Sequence, residues 1–69
     1  MPIITISMLE GRTKEQKKEL IKKVSDAVVE TLDTPYEAVR IVISEMSNED
    51  YGVAGLPVNE YRVKRLKEG

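Results

Sequence analysis

Two runs of β-branched residues flank one long amphipathic stretch, and few folds accept that order. The first run, Pro2-Ile3-Ile4-Thr5-Ile6-Ser7-Met8, predicts a strand over residues 2–9. Ile4, Ile6 and Met8 then face one way, and Ile3, Thr5 and Ser7 the other. Gly11 breaks the run. Thr13 and Gln16 form a T-x-x-Q capping box at the head of a helix. Leu20, Ile21, Val24, Ala27, Val28 and Leu32 follow at helical spacing, one apolar stripe of about five turns. Lys14, Lys17, Lys18, Lys22 and Lys23 alternate with Glu15, Glu19 and Asp26 on the remaining surface, as a solvated face does. Pro35 stops the helix and biases Thr34 out of it. Val39 to Met46 is apolar on both faces and reads as a central strand. Strand, helix and strand predict a βαβ unit with parallel strands and a right-handed crossover.

Such a unit is too small to stand alone. Two strands and one helix make a marginal sheet, and a chain of 69 residues is a single domain, 1–69, that buries little surface. There is no cysteine to staple it. At 41% hydrophobic it carries apolar faces that one copy cannot cover, so the sheet is expected to continue across a subunit boundary. A net charge of −1 argues against nucleic acid or an anionic membrane as partner. Only three aromatics are present, all tyrosine. No apolar run approaches a membrane span, and the start lacks the regions of a signal peptide, so a soluble, cytoplasmic chain is expected.

After the second strand, Ser47-Asn48-Glu49-Asp50 is a polar turn. Tyr51-Gly52-Val53-Ala54-Gly55 reads as a short glycine-bounded β segment or hairpin. Pro57 interrupts it, and Val58 to Leu66 is a mixed basic tail with no assigned element.

The chemistry available is narrow. Histidine and cysteine are both absent, which removes the commonest acid–base group, the commonest metal ligand and any thiol. Pro2 stands directly behind the initiator methionine, which is normally trimmed before so small a residue. The mature chain would then begin with a secondary amine. A free α-amino group has a pKa of about 8 and can be tuned to work as a base near neutral pH. The alternative is a plain strand start, where the missing N–H does little harm. Arg40 lies among Val39, Ile41, Val42 and Ile43. Its guanidinium fits a carboxylate or phosphate, or a salt bridge to a neighbouring acid. Arg12 is either a solvated loop arginine or an anion ligand. Tyr51 is either a core or interface aromatic or part of a site.

Together these features follow the order M-P-(strand)-L-E-G-R-(x)3-Q-(helix)-P-(x)3-V-R-(strand)-E-M-(turn)-Y-G-(x)2-G. That order resembles the 4-oxalocrotonate tautomerase family, also called 2-hydroxymuconate tautomerase, over residues 2 to 55. The segments Leu9-Glu10-Gly11-Arg12, Val39-Arg40, Glu45-Met46 and Tyr51 to Gly55 carry the resemblance. It implies a small α/β (α+β) tautomerase/MIF-like fold: a β-α-β unit with a C-terminal hairpin and a sheet extended by oligomerisation. It implies a cofactor-independent, metal-free keto–enol tautomerase (an isomerase) for 2-hydroxymuconate-like dienols, with aromatic hydrocarbon catabolism as its setting. The Pro2 amine would be general base and acid. Arg12 would hold the distal carboxylate, and Arg40 the other carboxylate and the 2-oxygen. Tyr51, Leu9 and Val53 would wall the site. The substrate would be a small enol or dicarboxylate, and the assembly a homohexamer, a trimer of dimers whose sites draw on more than one chain.

The chain departs from the pattern in places. Tyr51 stands where phenylalanine is common, Ala38 where serine is common, and the tail from Pro57 is longer than the family's. Two alternatives stay open. One is another reaction of the same superfamily, such as haloacrylate dehalogenation or a decarboxylation. The other is a non-catalytic oligomeric module, if Met1 is retained and the Pro2 nitrogen remains a tertiary amide.

Overall fold

Strand β1 spans Ile3–Leu9 and pairs in parallel with β2, Arg40–Met46, from Ile3 opposite Arg40 to Leu9 opposite Met46. The computed structural model describes residues 1–68. Helix α1, Lys14–Leu32, makes the crossover between the two strands. The capping box forms as expected. The Gln16 N–H donates to Thr13 Oγ1 at 3.1 Å, and the Thr13 N–H donates to Gln16 Oε1 at 3.0 Å. The helix ends on Asp33 in the left-handed region, φ 53°, whose N–H donates to the Val29 carbonyl at 3.0 Å. Pro35 then leads into a 3-10 turn, Tyr36–Ala38.

The pleat sorts the sheet into two unlike faces. Ile4, Ile6, Met8, Ile41 and Ile43 are half-buried. Glu45 shares their face and receives Lys17 of α1 at 2.9 Å, which marks the side the helix covers. Leu20, Val24, Val28 and Val29 are half-buried and Ser25 is buried. Of the expected stripe, Ile21, Ala27 and Leu32 face outward instead. On the other sheet face, Ile3, Thr5, Ser7, Arg40, Val42 and Ser44 are all exposed. Ile3 is 66% exposed and Val42 48%.

One chain is therefore an unfinished globule. Its radius of gyration is 16.3 Å, where a compact domain of this length has about 11 Å. Its accessible surface is 5542 Å², where a monomer of this mass exposes about 4,400 Å². Among the described residues of one chain this sheet has two strands, so β2 is an edge strand. The central position read from its two apolar faces requires strands from elsewhere.

The C-terminal part differs from the sequence expectation. Strand β3, Gly52–Val53, pairs antiparallel with β4, Leu56–Pro57, across the loop Ala54-Gly55. Pro57 belongs to the hairpin instead of interrupting it. It lies opposite Gly52 at the end of a two-residue strand, where its missing N–H is tolerated. The unassigned tail is helix α2, Val58–Glu68. Its first residue, Val58, is 4% exposed, and its N–H donates to the Tyr51 carbonyl at 2.8 Å. That anchor folds α2 back onto the hairpin and onto the 3-10 turn Asn48–Asp50.

Candidate active site

The residues singled out in the sequence collect at opposite ends of the parallel pair. Pro2 and Arg40 lie where β1 and β2 begin, and the Arg40 N–H donates to the Pro2 carbonyl at 3.0 Å. Pro2 is half-buried and Arg40 exposed. The Arg40 guanidinium donates to the Glu37 carbonyl and, at 3.3 Å, to the Val39 carbonyl. Among the described residues it forms no salt bridge with a carboxylate.

The other end opens into a cleft of about 630 Å³, within the range of small-molecule sites. Ser7, Leu9, Arg12, Asn48, Tyr51 and Arg62 are among its walls. Arg12 is presented by a loop fixed on both sides. Upstream, the Glu10 N–H donates to the Met46 carbonyl at 2.9 Å. Downstream, the capping box holds Thr13. Between them Gly11 takes φ 123°, a conformation that side-chain-bearing residues rarely adopt. Tyr51, 44% exposed, is held by its carbonyl's bond from Val58. Leu9 is half-buried in the same wall. Val53 is half-buried in the hairpin, opposite Leu56, and is not a wall of this cleft.

The cleft thus gathers Leu9, Arg12 and Tyr51, while Pro2 and Arg40 sit the length of β1 away. Seven strand residues separate the two ends by about 20 Å.

The lining is positive. Arg12 and Arg62 both contribute, and Glu10 is the single acid among the lining residues. Neither guanidinium has a carboxylate partner among the described residues. An arrangement of this kind binds small anions, since a guanidinium offers a carboxylate two parallel N–H bonds. Sequence reasoning missed Arg62 and Asn48. The signal for Arg62 is its spacing, one helical turn after the buried Val58 and on the same side of α2. Among the described residues no group of acids is placed to hold a metal ion, and no helix is long and apolar enough to cross a membrane.

Comparison with known proteins supplies the frame for this geometry. A family model described as tautomerase enzyme matches residues 2–61. The 2-hydroxymuconate tautomerase of Pseudomonas sp. strain CF600 is 45% identical over 62 residues, which is 90% of this chain and 98% of that protein. Among solved structures, a 4-oxalocrotonate tautomerase isozyme from Methylibium petroleiphilum superposes with a TM-score of 0.85 at 41% identity, covering 91% of this chain and 98% of that one. A heterohexamer 4-oxalocrotonate tautomerase from Chloroflexus aurantiacus matches with a TM-score of 0.82 at 38% identity, covering 87% and 97%.

Proposed function

This chain belongs to the tautomerase family, a family of isomerases, and we propose that it converts 2-hydroxymuconate-like dienols to the conjugated 2-oxo acids without a cofactor. In this proposal residues 1–69 act as one domain. The supporting observation is the family match over residues 2–61, a span that includes Pro2, Leu9, Arg12, Arg40, Tyr51 and Val53.

The reaction moves one proton. The 2-hydroxyl loses its proton, its electrons form the carbonyl, and the displaced electron pair accepts a proton at a distant carbon. Once Met1 is removed, the Pro2 nitrogen is a secondary amine. It must be neutral to accept the hydroxyl proton, and protonated it returns a proton to carbon. Burial in an assembled site and a guanidinium brought beside it would both disfavour the ammonium form. A group near the working pH serves both directions. The arginines would hold the carboxylates and stabilise negative charge on the dienolate oxygen without solvent reorganisation.

Pro2 and Arg12 of one chain are too far apart to act on one small dicarboxylate. The proposed site is therefore composite, with Pro2 of one copy meeting the Arg12 cleft of another. The exposed sheet face and the elongated chain favour such an assembly. A homohexamer, a trimer of dimers, is the form we propose, by analogy with the hexameric relative.

The direct test follows 2-hydroxymuconate ketonisation spectrophotometrically with protein shown by intact mass to lack Met1. Rapid, protein-dependent conversion is expected. A trimmed, folded protein that leaves the dienol unchanged would overturn the proposal.

A further inference from the structure

Two exposed patches of opposite charge lie at opposite ends of the chain. On another side of α2 from Arg62, Leu56, Asn59, Glu60, Val63, Lys64 and Lys67 line a groove of about 610 Å³. Leu56 is half-buried and Val63 is 52% exposed, so the floor is apolar and open. Lys64 and Lys67, one turn apart, form its rim, and Glu60 is the single acid among its lining residues. The second patch lies where β2 begins. Asp26, Glu30 and Asp33 recur at i, i+4 and i+7 along one stripe of α1 and its cap. The Tyr36 hydroxyl donates to Asp26, which lays the ring against this stripe, 46% exposed. Glu37 follows it. Asp26 is taken by Lys22, but Glu30, Asp33 and Glu37 have no basic partner among the described residues. The Arg40 guanidinium nearby donates to backbone carbonyls.

We propose that the α2 groove is a docking surface for a second copy of this chain, whose Tyr36 packs on Leu56 and Val63 while its Glu30 and Glu37 meet Lys64 and Lys67.

Three observations support that occupant. The charges are complementary, and each patch pairs them with an exposed apolar group. The patches sit at opposite ends of the β1–β2 pair, so one chain cannot close the contact on itself, whereas two copies related by a two-fold axis make it twice, each groove receiving the other's Tyr36. The same antiparallel placement brings the Pro2 end of one copy to the Arg12 end of the other, as the composite site requires. On that last point the inference rests on the proposed function; the charge and apolar patches stand without it. Val63, Lys64 and Lys67 lie beyond the matched span 2–61, so the contact is one that this chain adds to the family's architecture.

Sedimentation velocity of the full chain over a dilution series tests the contact. Lys64→Glu with Lys67→Glu sets like charges face to face and should raise the dissociation constant by about tenfold or more, as should Glu30→Lys with Glu37→Lys. All four substitutions in one chain restore complementarity and should return the constant to within about threefold of wild type. Added salt should weaken wild-type association. Losses that simply add in the fourfold variant, or reversals without effect, would overturn the inference.

Cross-linking decides should the reversal variants fail to fold. The chain has no cysteine. Tyr36→Cys protein and Val63→Cys protein, refolded together and treated with a short bis-maleimide, should give a 36-to-63 link between copies, identified by peptide mass. Ile21→Cys, an exposed control on α1, should not link to Val63→Cys. Absence of the 36-to-63 link, or an equal yield with Ile21→Cys, would overturn the inference. Neither readout uses turnover. A link that forms in protein inactive on 2-hydroxymuconate would count against the reaction and support the contact, and an active assembly without the link would do the reverse.

Discussion

The backbone N–H of Arg40 donates to the Pro2 carbonyl at 3.0 Å, so the residue proposed as the base and one of the proposed carboxylate ligands are fixed neighbours at one end of the sheet. Arg12 is fixed at the other end. That separation makes a statistical prediction about mixed assemblies. Arg12→Ala and Arg40→Ala should each lower activity by about a hundredfold or more. Arg12→Ala should also raise KM. If a site takes its Arg12 and Arg40 from different copies, unfolding and refolding the two inactive variants together should regenerate activity. Random assortment gives both arginines to roughly one quarter of sites in the mixture. Complete absence of recovery, with assemblies of the right size, would mean that one chain supplies both.

The Pro2 amine gives a second prediction, about processing. Protein that retains Met1 carries a tertiary amide at Pro2 and should be inactive, whereas trimmed protein from the same preparation is active. For trimmed protein, log kcat/KM should rise with pH and level off below about 8, the ordinary value of an α-amine. Equal activity of the two forms, resolved by intact mass, would exclude the amine as the base.

The β-α-β unit was legible because its signals are local and redundant. Thr13 and Gln16 mark the helix start, Pro35 prevents its continuation, and β-branched residues mark both strands. Helix α2 was not legible. Its residues are strongly charged, Val63 and Leu66 face solvent, and Pro57 at its head resembles a break in the pattern. What makes it a helix that packs is Val58, one apolar residue whose burial depends on the hairpin before it. Arg62 was invisible for the same reason, since its position depends on a helix that sequence periodicity does not announce. The separation of Arg12 from Pro2 follows from strand length and parallel pairing, both of which the sequence predicts. The expected salt-bridge alternative for Arg40 gave way to two backbone carbonyls, an outcome that no residue pattern encodes.

A small acid–tyrosine–lysine cluster ties α1 to the turn that follows it. The Tyr36 hydroxyl donates to Asp26 Oδ1 at 2.5 Å, and Lys22 Nζ reaches Asp26 Oδ2 at 2.9 Å. The Tyr36 hydrogen bond first, and then Lys22, hold the Asp26 carboxyl below its ordinary 3.8. Asp26 in turn raises Tyr36 above 10.0. A lowered carboxyl contributes stability above its unfolded pKa and loses it as pH falls through the folded value. A raised tyrosine contributes below its unfolded pKa and loses it as pH rises through the folded one. The stability advantage of wild type over Tyr36→Phe should therefore be widest between these limits and narrow at both extremes. Because the cluster is exposed, the advantage should be small and should shrink in high salt. Thermal unfolding of both proteins across pH checks it, and a gap that grows on acidification would contradict the assignment.

The hairpin loop carries backbone strain that one substitution should relieve. Ala54 and Gly55 have φ of 53° and 82°, and two-residue hairpin loops of the I′ type need positive φ at both positions. Gly55 meets the requirement without cost, whereas alanine in the left-handed region is disfavoured by about 1 kcal/mol. Ala54→Gly removes that strain and gives back part of the gain through the greater freedom of glycine in the unfolded chain. A net stabilisation of about 0.5 kcal/mol per chain is expected, read as a higher denaturant midpoint with an unchanged slope. Gly55→Ala is the converse. A Cβ at Gly55 meets no atom within 4 Å, so its effect isolates the backbone conformation from packing. It should destabilise by about 1 kcal/mol. Neutral effects of both substitutions would show that the loop does not hold its left-handed pair in solution.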